Sequence, residues 1–183
     1  MTRPLQALPS PPPAGGAPAH AEPLGAWWAE HSGPIYRYLR FRVPDPDTAE
    51  DLLAETFVRA LGAADRYDPS RGPVRPWLLR IAQNLLRDHL RRQGRRLQVP
   101  LARLRDLVHE SASPEERLLW EEEVALLTAA VRTLAERDQE LVSLRYGSGL
   151  STAEIGELLG LREATVRTRL WRALGRLREV LAR

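Results

Sequence analysis

Apolar residues recur along this chain at three- and four-residue steps, in stripes separated by proline- and glycine-marked breaks. No stretch alternates with the two-residue period of a strand. Trp27, Trp28, Ile35, Tyr38 and Leu39 mark a helix from Leu24 to Arg42, with Pro34 expected near a boundary or kink. Val43-Pro-Asp-Pro46 breaks it. Asp47 or Thr48 can then cap a helix carrying Ala49, Leu52, Leu53, Thr56, Phe57, Ala60 and Leu61. Turn residues predict a loop from Tyr67 to Pro73. Arg75 to Arg92 follows as a third helix, with Trp77, Leu78, Ile81, Leu85 and Leu86 as its apolar stripe.

The last third reads as a helix-turn-helix from Leu150 to Leu181. Ser151 and Glu154 form an S-x-x-E capping box, in which hydroxyl and carboxylate satisfy amides at a helix start. Ala153, Ile155, Leu158 and Leu159 give that helix its apolar stripe. Gly160 tolerates the positive φ that ends it. A second helix starts near Arg162 and is expected to bury Val166, Leu170, Ala173, Leu174, Leu177 and Leu181. At about 100° per residue, Thr168, Trp171 and Arg172 point away from that face. Trp171 lies roughly 120° from the centre of the stripe, among Arg167, Arg169, Arg172 and Arg176. Tryptophan is ordinarily a core residue; an outward one among guanidiniums suits phosphates and base edges in a major groove.

Between the two patterned regions the composition changes. Residues 1–24 hold seven of the 15 prolines and are expected to be a disordered arm. Residues 97–113 read as a flexible interdomain linker, with weak helical tendency at Leu101–Val108. Ser113 and Glu116 form another capping box, with Pro114 at the first helical position. Three helices and the final pair are expected to fill 114–183. The fold class is therefore all-α: two small helical domains, 25–96 and 114–183, joined by a flexible linker.

Charge sharpens this picture. All 27 basic residues are arginine, which favours bidentate phosphate and guanine contacts. Charges are blocked: 80–105 carries eight arginines against one acid, and 162–183 seven against two. Residues 45–68, in contrast, carry seven acids against two arginines, and 110–123 six against one. Two basic faces suggest two nucleic-acid contacts, whereas an acidic helix is repelled by DNA and fits a basic protein surface. There is no cysteine, so disulfides and thiolate chemistry are excluded. The four histidines lack metal-ligand spacing, and no metal or cofactor is expected. No apolar run approaches the ~20 residues of a membrane span, and the N-terminus does not read as a signal sequence. The expected compartment is the cytoplasm.

Ala49-Glu-Asp-Leu-Leu-Ala-Glu-Thr-Phe57, followed by Trp77-Leu-Leu-Arg-Ile-Ala-Gln-Asn84 and Asp88-His-Leu-Arg-Arg92, closely resembles region 2 of bacterial sigma factors. Leu134 to Leu181 resembles region 4. The short length and missing intermediate domain resemble the extracytoplasmic-function (ECF) class. The resemblance implies a dissociable promoter-recognition subunit without catalysis of its own, monomeric when free. It would bind core RNA polymerase at the β′ coiled coil and β flap, together with promoter DNA and an anti-sigma factor.

Residue by residue, the resemblance assigns Asn84 to a flipped non-template base near −10, and the loop from Asp68 through Ser70 and Arg71 to Arg75 to cradling that base. Arg80, Arg87, Arg91 and Arg92 would contact phosphates. Trp77 matches a position that is largely core, with base stacking as its alternative role. Asp51 and Glu55 would dock on polymerase, beside Ala54 where glutamine is common. Arg167, Thr168, Trp171 and Arg172 would touch the −35 duplex, and Glu163-Ala164 replaces a frequent small-Gly start to their helix. Aromatics near the opening site are few: Tyr67, Trp77 and His89.

Three other classes compete, and the arginine faces argue against one of them, a pure interaction protein that sequesters a partner. A repressor or activator using the helix-turn-helix alone would leave the first module unexplained. A nuclease could be drawn with Asp51, Glu55 and Asp88 as metal ligands, but no paired-metal motif supports it.

Overall fold

The computed structural model describes residues 21–93 and 125–182, with side chains from Gly25 onward. Residues 1–20 of the N-terminal arm, the linker with its Leu101–Val108 segment, and the Ser113/Glu116 box lie outside the described residues; residues 21–24, expected in the disordered arm, are instead the first turn of a helix.

Helix α1 spans Ala21–Arg40 with Pro34 inside it, so the proline is not the boundary that was one expectation. The proline removes one backbone hydrogen bond, but Ile35, Tyr38 and Leu39 just beyond it are fully buried. Burial of such side chains stabilises by ~1.5–3 kcal/mol each and offsets the loss. Arg40, itself buried, donates to the carbonyls of Val43 (2.9 Å) and Pro44 (3.0 Å) and so fixes the turn that follows.

Helix α2 spans Pro46–Gly62, and its cap is Asp45 rather than Asp47 or Thr48. The Asp45 carboxylate accepts from the Thr48 amide (3.0 Å) and hydroxyl (2.6 Å). Pro46, with fixed φ and no N–H, suits the first helical position, which moves the cap to the residue before it. Ala49, Leu52, Leu53, Thr56, Phe57 and Ala60 are buried as expected. Two short 3₁₀ turns, Ala64–Arg66 and Pro69–Arg71, lead into α3, Val74–Gln93.

The second module begins with a helical segment at 125–132, here α4. Helix α5, Glu136–Val142, continues into a π-turn, Ser143–Gly147, where the Ser148 amide reaches back five residues to the Ser143 carbonyl (3.1 Å). Helices α6, Thr152–Leu159, and α7, Glu163–Leu181, form the helix-turn-helix. Both halves of the capping box are made: the Glu154 amide donates to Ser151 Oγ (3.2 Å) and the Ser151 amide to Glu154 Oε2 (2.7 Å). Gly160 takes φ of 66°. Gly156 has its own reason: a Cβ there would lie 2.8 Å from the Leu161 carbonyl oxygen.

Two expected core positions are exposed. Ala153 lies on the outer side of the first turn of α6, and Leu181, in the last turn of α7, is exposed beyond its last packing partner. Among the described residues there is no strand, and two helical segments precede the helix-turn-helix.

The two modules pack together. The π-turn lies against α1 so closely that a Cβ on Gly147 would sit 2.8 Å from the Tyr38 backbone. Buried side chains of both modules join in one core.

Candidate nucleic-acid and polymerase interfaces

Helix α7 buries Val166, Leu170, Ala173 and Leu177, and that stripe fixes what its other side presents. Trp171 is 75% exposed, far from the usual fate of a tryptophan. Arg167, Thr168 and Arg172 are exposed with it, whereas Arg169 turns inward to line a cleft between the modules. Thr168 donates to the Ala164 carbonyl (2.9 Å), which holds its hydroxyl while leaving oxygen lone pairs open. Glu163, a departure in the sequence pattern, accepts from Thr152 Oγ1 (2.7 Å) and ties the start of α7 to the start of α6. Together these features make a rigid, amphipathic cylinder with an open cationic and aromatic face.

The α3 surface is built differently. Asn84 is exposed and accepts from Arg87 Nη1 at 3.3 Å. One turn earlier Arg80 reaches the Leu158 carbonyl of α6 (3.4 Å). Farther along, Arg91 lies 4.0 Å from Asp88 and Arg92 donates to the Asp88 carbonyl (3.2 Å); both are exposed. Arg75 is half-buried, its charge helping to lower the pKa of His31 and of Glu154. Burial is the larger cause for His31, and the Ser151 hydrogen bonds for Glu154.

The preceding loop is held by three aromatic rings. Trp27, Tyr67 and Trp77 meet pairwise with centroids 5.3–5.8 Å apart, and Tyr67 donates to the Gly72 carbonyl (3.1 Å). Tyr67 and Trp77 thus brace one another while remaining half-buried at the rim of a cleft of about 420 Å³. Sequence reasoning missed Trp27, because nothing in linear spacing links α1 to this loop. Asp68 caps the Pro69–Arg71 turn, accepting from the Ser70 amide (2.9 Å) and hydroxyl (2.7 Å). Those bonds hold the carboxyl below its ordinary pKa. Ser70 and Arg71 are exposed at the tip. His89 is half-buried, and burial followed by the Arg92 charge lowers its pKa.

On α2, Asp51, Ala54 and Glu55 are exposed on the side opposite the core, and Glu55 pairs with Arg59 (2.7 Å). Val58, 63% exposed, completes this face one turn after Ala54 and Glu55. An acidic face with an apolar centre is suited to a basic protein surface. Val58 is invisible to a search for charge alone, but its outward position is already set by the α2 stripe.

Between the modules lies a polar node. Glu140 of α5 accepts from Tyr38 Oη (2.9 Å), Gln83 Nε2 (2.8 Å) and Arg42 Nη1. Arg42 is buried, and Tyr38 is fully buried with its pKa pushed up by desolvation and then by Glu140, so it stays a donor. Arg37 Nε donates to the Gly147 carbonyl (3.2 Å), and Thr128 Oγ1 to the Arg40 carbonyl (2.8 Å).

Among the described residues, no cluster of three His, Cys, Asp or Glu side chains could hold a metal ion, and no helix is long and apolar enough to cross a membrane.

Known proteins share this architecture. Residues 27–96 match the family Sigma-70 region 2, and residues 125–177 match Sigma-70, region 4. The ECF RNA polymerase sigma factor BldN of Streptomyces coelicolor is 36% identical over 161 residues, covering 88% of this chain but 61% of its own length. The ECF RNA polymerase sigma factor SigL of Mycobacterium tuberculosis is 32% identical over 174 residues, 91% of this chain and 93% of its own. The solved structure of CnrH in complex with the cytosolic domain of CnrY superposes with a TM-score of 0.66 at 26% identity, over 90% of both chains. CnrH is an RNA polymerase sigma factor of Cupriavidus metallidurans. A two-module helical chain with this ordered pair of surfaces, and with these relatives, belongs to the extracytoplasmic-function sigma factors of RNA polymerase.

Proposed function

We propose that the chain performs the promoter-specific initiation of its family through two physically distinct readings of DNA. Helix α7 reads the upstream −35 element as duplex, with Arg167, Thr168, Trp171 and Arg172 in the major groove. Helix α3 and its loop take the −10 element as parted strand. Asn84 offers paired amide donor and acceptor to an unstacked base, Asp68, Ser70, Arg71 and Arg75 belong to the loop that cradles it, and Trp77 supports that loop from below. Arg80, Arg87, Arg91 and Arg92 lie along the strand's phosphates. The α2 face of Asp51, Glu55 and Val58 docks on the β′ coiled coil of core polymerase, and the second module on the β flap. The chain supplies no covalent chemistry; polymerase does.

One observation carries this reading: two differently built arginine surfaces, one open on a helix-turn-helix and one grouped around an exposed asparagine and a braced loop. As membership of the family implies, an anti-sigma factor is the expected inhibitor. The working compartment is the cytoplasm, and the free protein is expected to be a monomer. Run-off transcription with purified sigma-free core polymerase on genomic fragments tests the reading. Discrete transcripts that depend on the added chain support it; no specific start on any fragment overturns it.

A further inference from the structure

A helix that reads DNA gains from each cation it turns outward, and α7 is cationic along most of its length. One residue departs from this. From its start to Arg178 the helix carries a single acid, Glu163, one turn before Arg167. Glu163 Oε1 accepts from the Thr152 hydroxyl of α6 at 2.7 Å and lies 3.7 Å from Arg167 Nη1. Both partners of the ion pair are open to solvent, the Arg167 side chain 68% exposed and that of Glu163 48%. An exposed pair of this kind contributes little to folding. The α6–α7 turn also has closures besides the acid. The Leu161 amide donates to the Gly156 carbonyl (2.8 Å), Gly160 is left-handed, and Gly156 admits the close approach of the Leu161 carbonyl. A carboxylate brought near DNA phosphates lowers affinity, and little added stability offsets that loss. Its consequence lies in what Arg167 does.

We propose that Glu163 is a positioning residue that makes Arg167 read bases rather than phosphates. The proposal rests on the assignment of α7 to the −35 duplex. An arginine in the first two turns of such a helix has two uses. A phosphate takes its charge on any sequence, whereas a guanine edge takes its planar fork in one geometry. The carboxylate shifts the balance between them. It offsets part of the guanidinium charge, and it repels the phosphates toward which the guanidinium is drawn. Binding to any sequence depends on that charge. Two parallel hydrogen bonds to guanine depend mainly on where the fork is held, and Glu163 holds it from a point anchored to α6 by Thr152. The phosphate mode is thereby weakened more than the base mode. Preference among sequences rises while overall affinity falls.

The test uses the full chain and a library of DNA duplexes with a randomised central segment. Sequences selected by the wild type serve as the specific probe, and the unselected library as the non-specific one. Glu163→Gln keeps an acceptor for the Thr152 hydroxyl and removes the charge. It should bind the unselected library more tightly, with a slope of log affinity against log salt steeper by about 0.9, the contribution of one phosphate contact. Its ratio of specific to non-specific affinity should fall by about fivefold or more, the lower end of what one bidentate pair discriminates. In an Arg167→Ala background the ratio is set by the remaining contacts, and adding Glu163→Gln should not change it further. An unchanged ratio in Glu163→Gln overturns the proposal, as does an equal fall with and without Arg167. Weaker binding to both probes together would make the acid a support of the fold and overturn it too. If the wild type selects no sequence at all, the duplex reading by α7 fails. If the wild type selects and Glu163→Gln selects as sharply, only the positioning role is lost.

Discussion

Helices α3 and α7 both bury one apolar stripe and turn arginines outward, yet their outward faces are supported in different ways. The α7 face depends on little beyond its own helix: the stripe from Val166 to Leu177 sets its rotation, and the Thr152–Glu163 bond sets its start. The α3 face is composite. Its loop needs the Trp27–Tyr67–Trp77 rings, the Asp68 cap and the Tyr67–Gly72 bond. A double helix presents a groove of fixed shape that a rigid cylinder can enter, whereas an extruded base needs a concave receptor assembled from several segments. The largest effect should therefore come from the residue where that receptor has no substitute. Asn84→Ala is expected to nearly abolish open complex, seen as lost permanganate reactivity of the −10 thymines, while polymerase binding stays intact. Loss of polymerase binding would assign Asn84 to the wrong surface.

On α7 the contacts are spread along a cylinder, so a single loss should be partial. Arg172→Ala is expected to weaken −35 binding by about 1–3 kcal/mol if the guanidinium pairs with a base, and to relax preference at that position. Comparing affinities over several −35 variants at fixed salt checks this. Equal weakening on every sequence would move Arg172 from base readout to phosphate contact. Asp51 and Glu55 test the third surface, which should be independent of both DNA faces. Reversing both charges is expected to reduce core binding severalfold, at the ~0.2–1 kcal/mol typical of exposed ion pairs, with −35 duplex binding by the free protein unchanged.

The same contrast explains what could be read from sequence. The α7 face is a one-dimensional property: period, capping box and glycine turn suffice, and Trp171 lies where the helical wheel puts it. The α2 stripe is equally legible, and the cap fell two or three residues from its true position because Pro46 competes for the first turn. Nothing periodic connects Trp27 to Tyr67, or Tyr38, Arg42 and Gln83 to Glu140, because such contacts join residues across as many as 102 positions. Gly147 likewise reads as an ordinary turn glycine until α1 is laid against it. The Glu163 substitution read as a departure from pattern, and only the structure gives it a partner in Thr152. Surfaces made by one helix are written locally, and surfaces made by several elements are not.

The smallest predicted effect probes the loop alone. Asp68 accepts two hydrogen bonds from Ser70, and its carboxyl is held below the ordinary value by them. A group whose folded pKa is depressed stabilises the folded form above its unfolded pKa, and that contribution disappears as pH falls through the folded value. The Pro69–Arg71 turn should therefore loosen only at pH below the usual carboxylate range, where the Ser70 amide resonance should shift and exchange faster with solvent. Asp68→Asn keeps an acceptor oxygen without the titrating proton, so the turn should persist and its pH dependence vanish. An Ser70 amide that behaves identically in the two proteins across the acid range would show that the cap does not hold the loop, and the braced receptor would then rest on the aromatic rings alone.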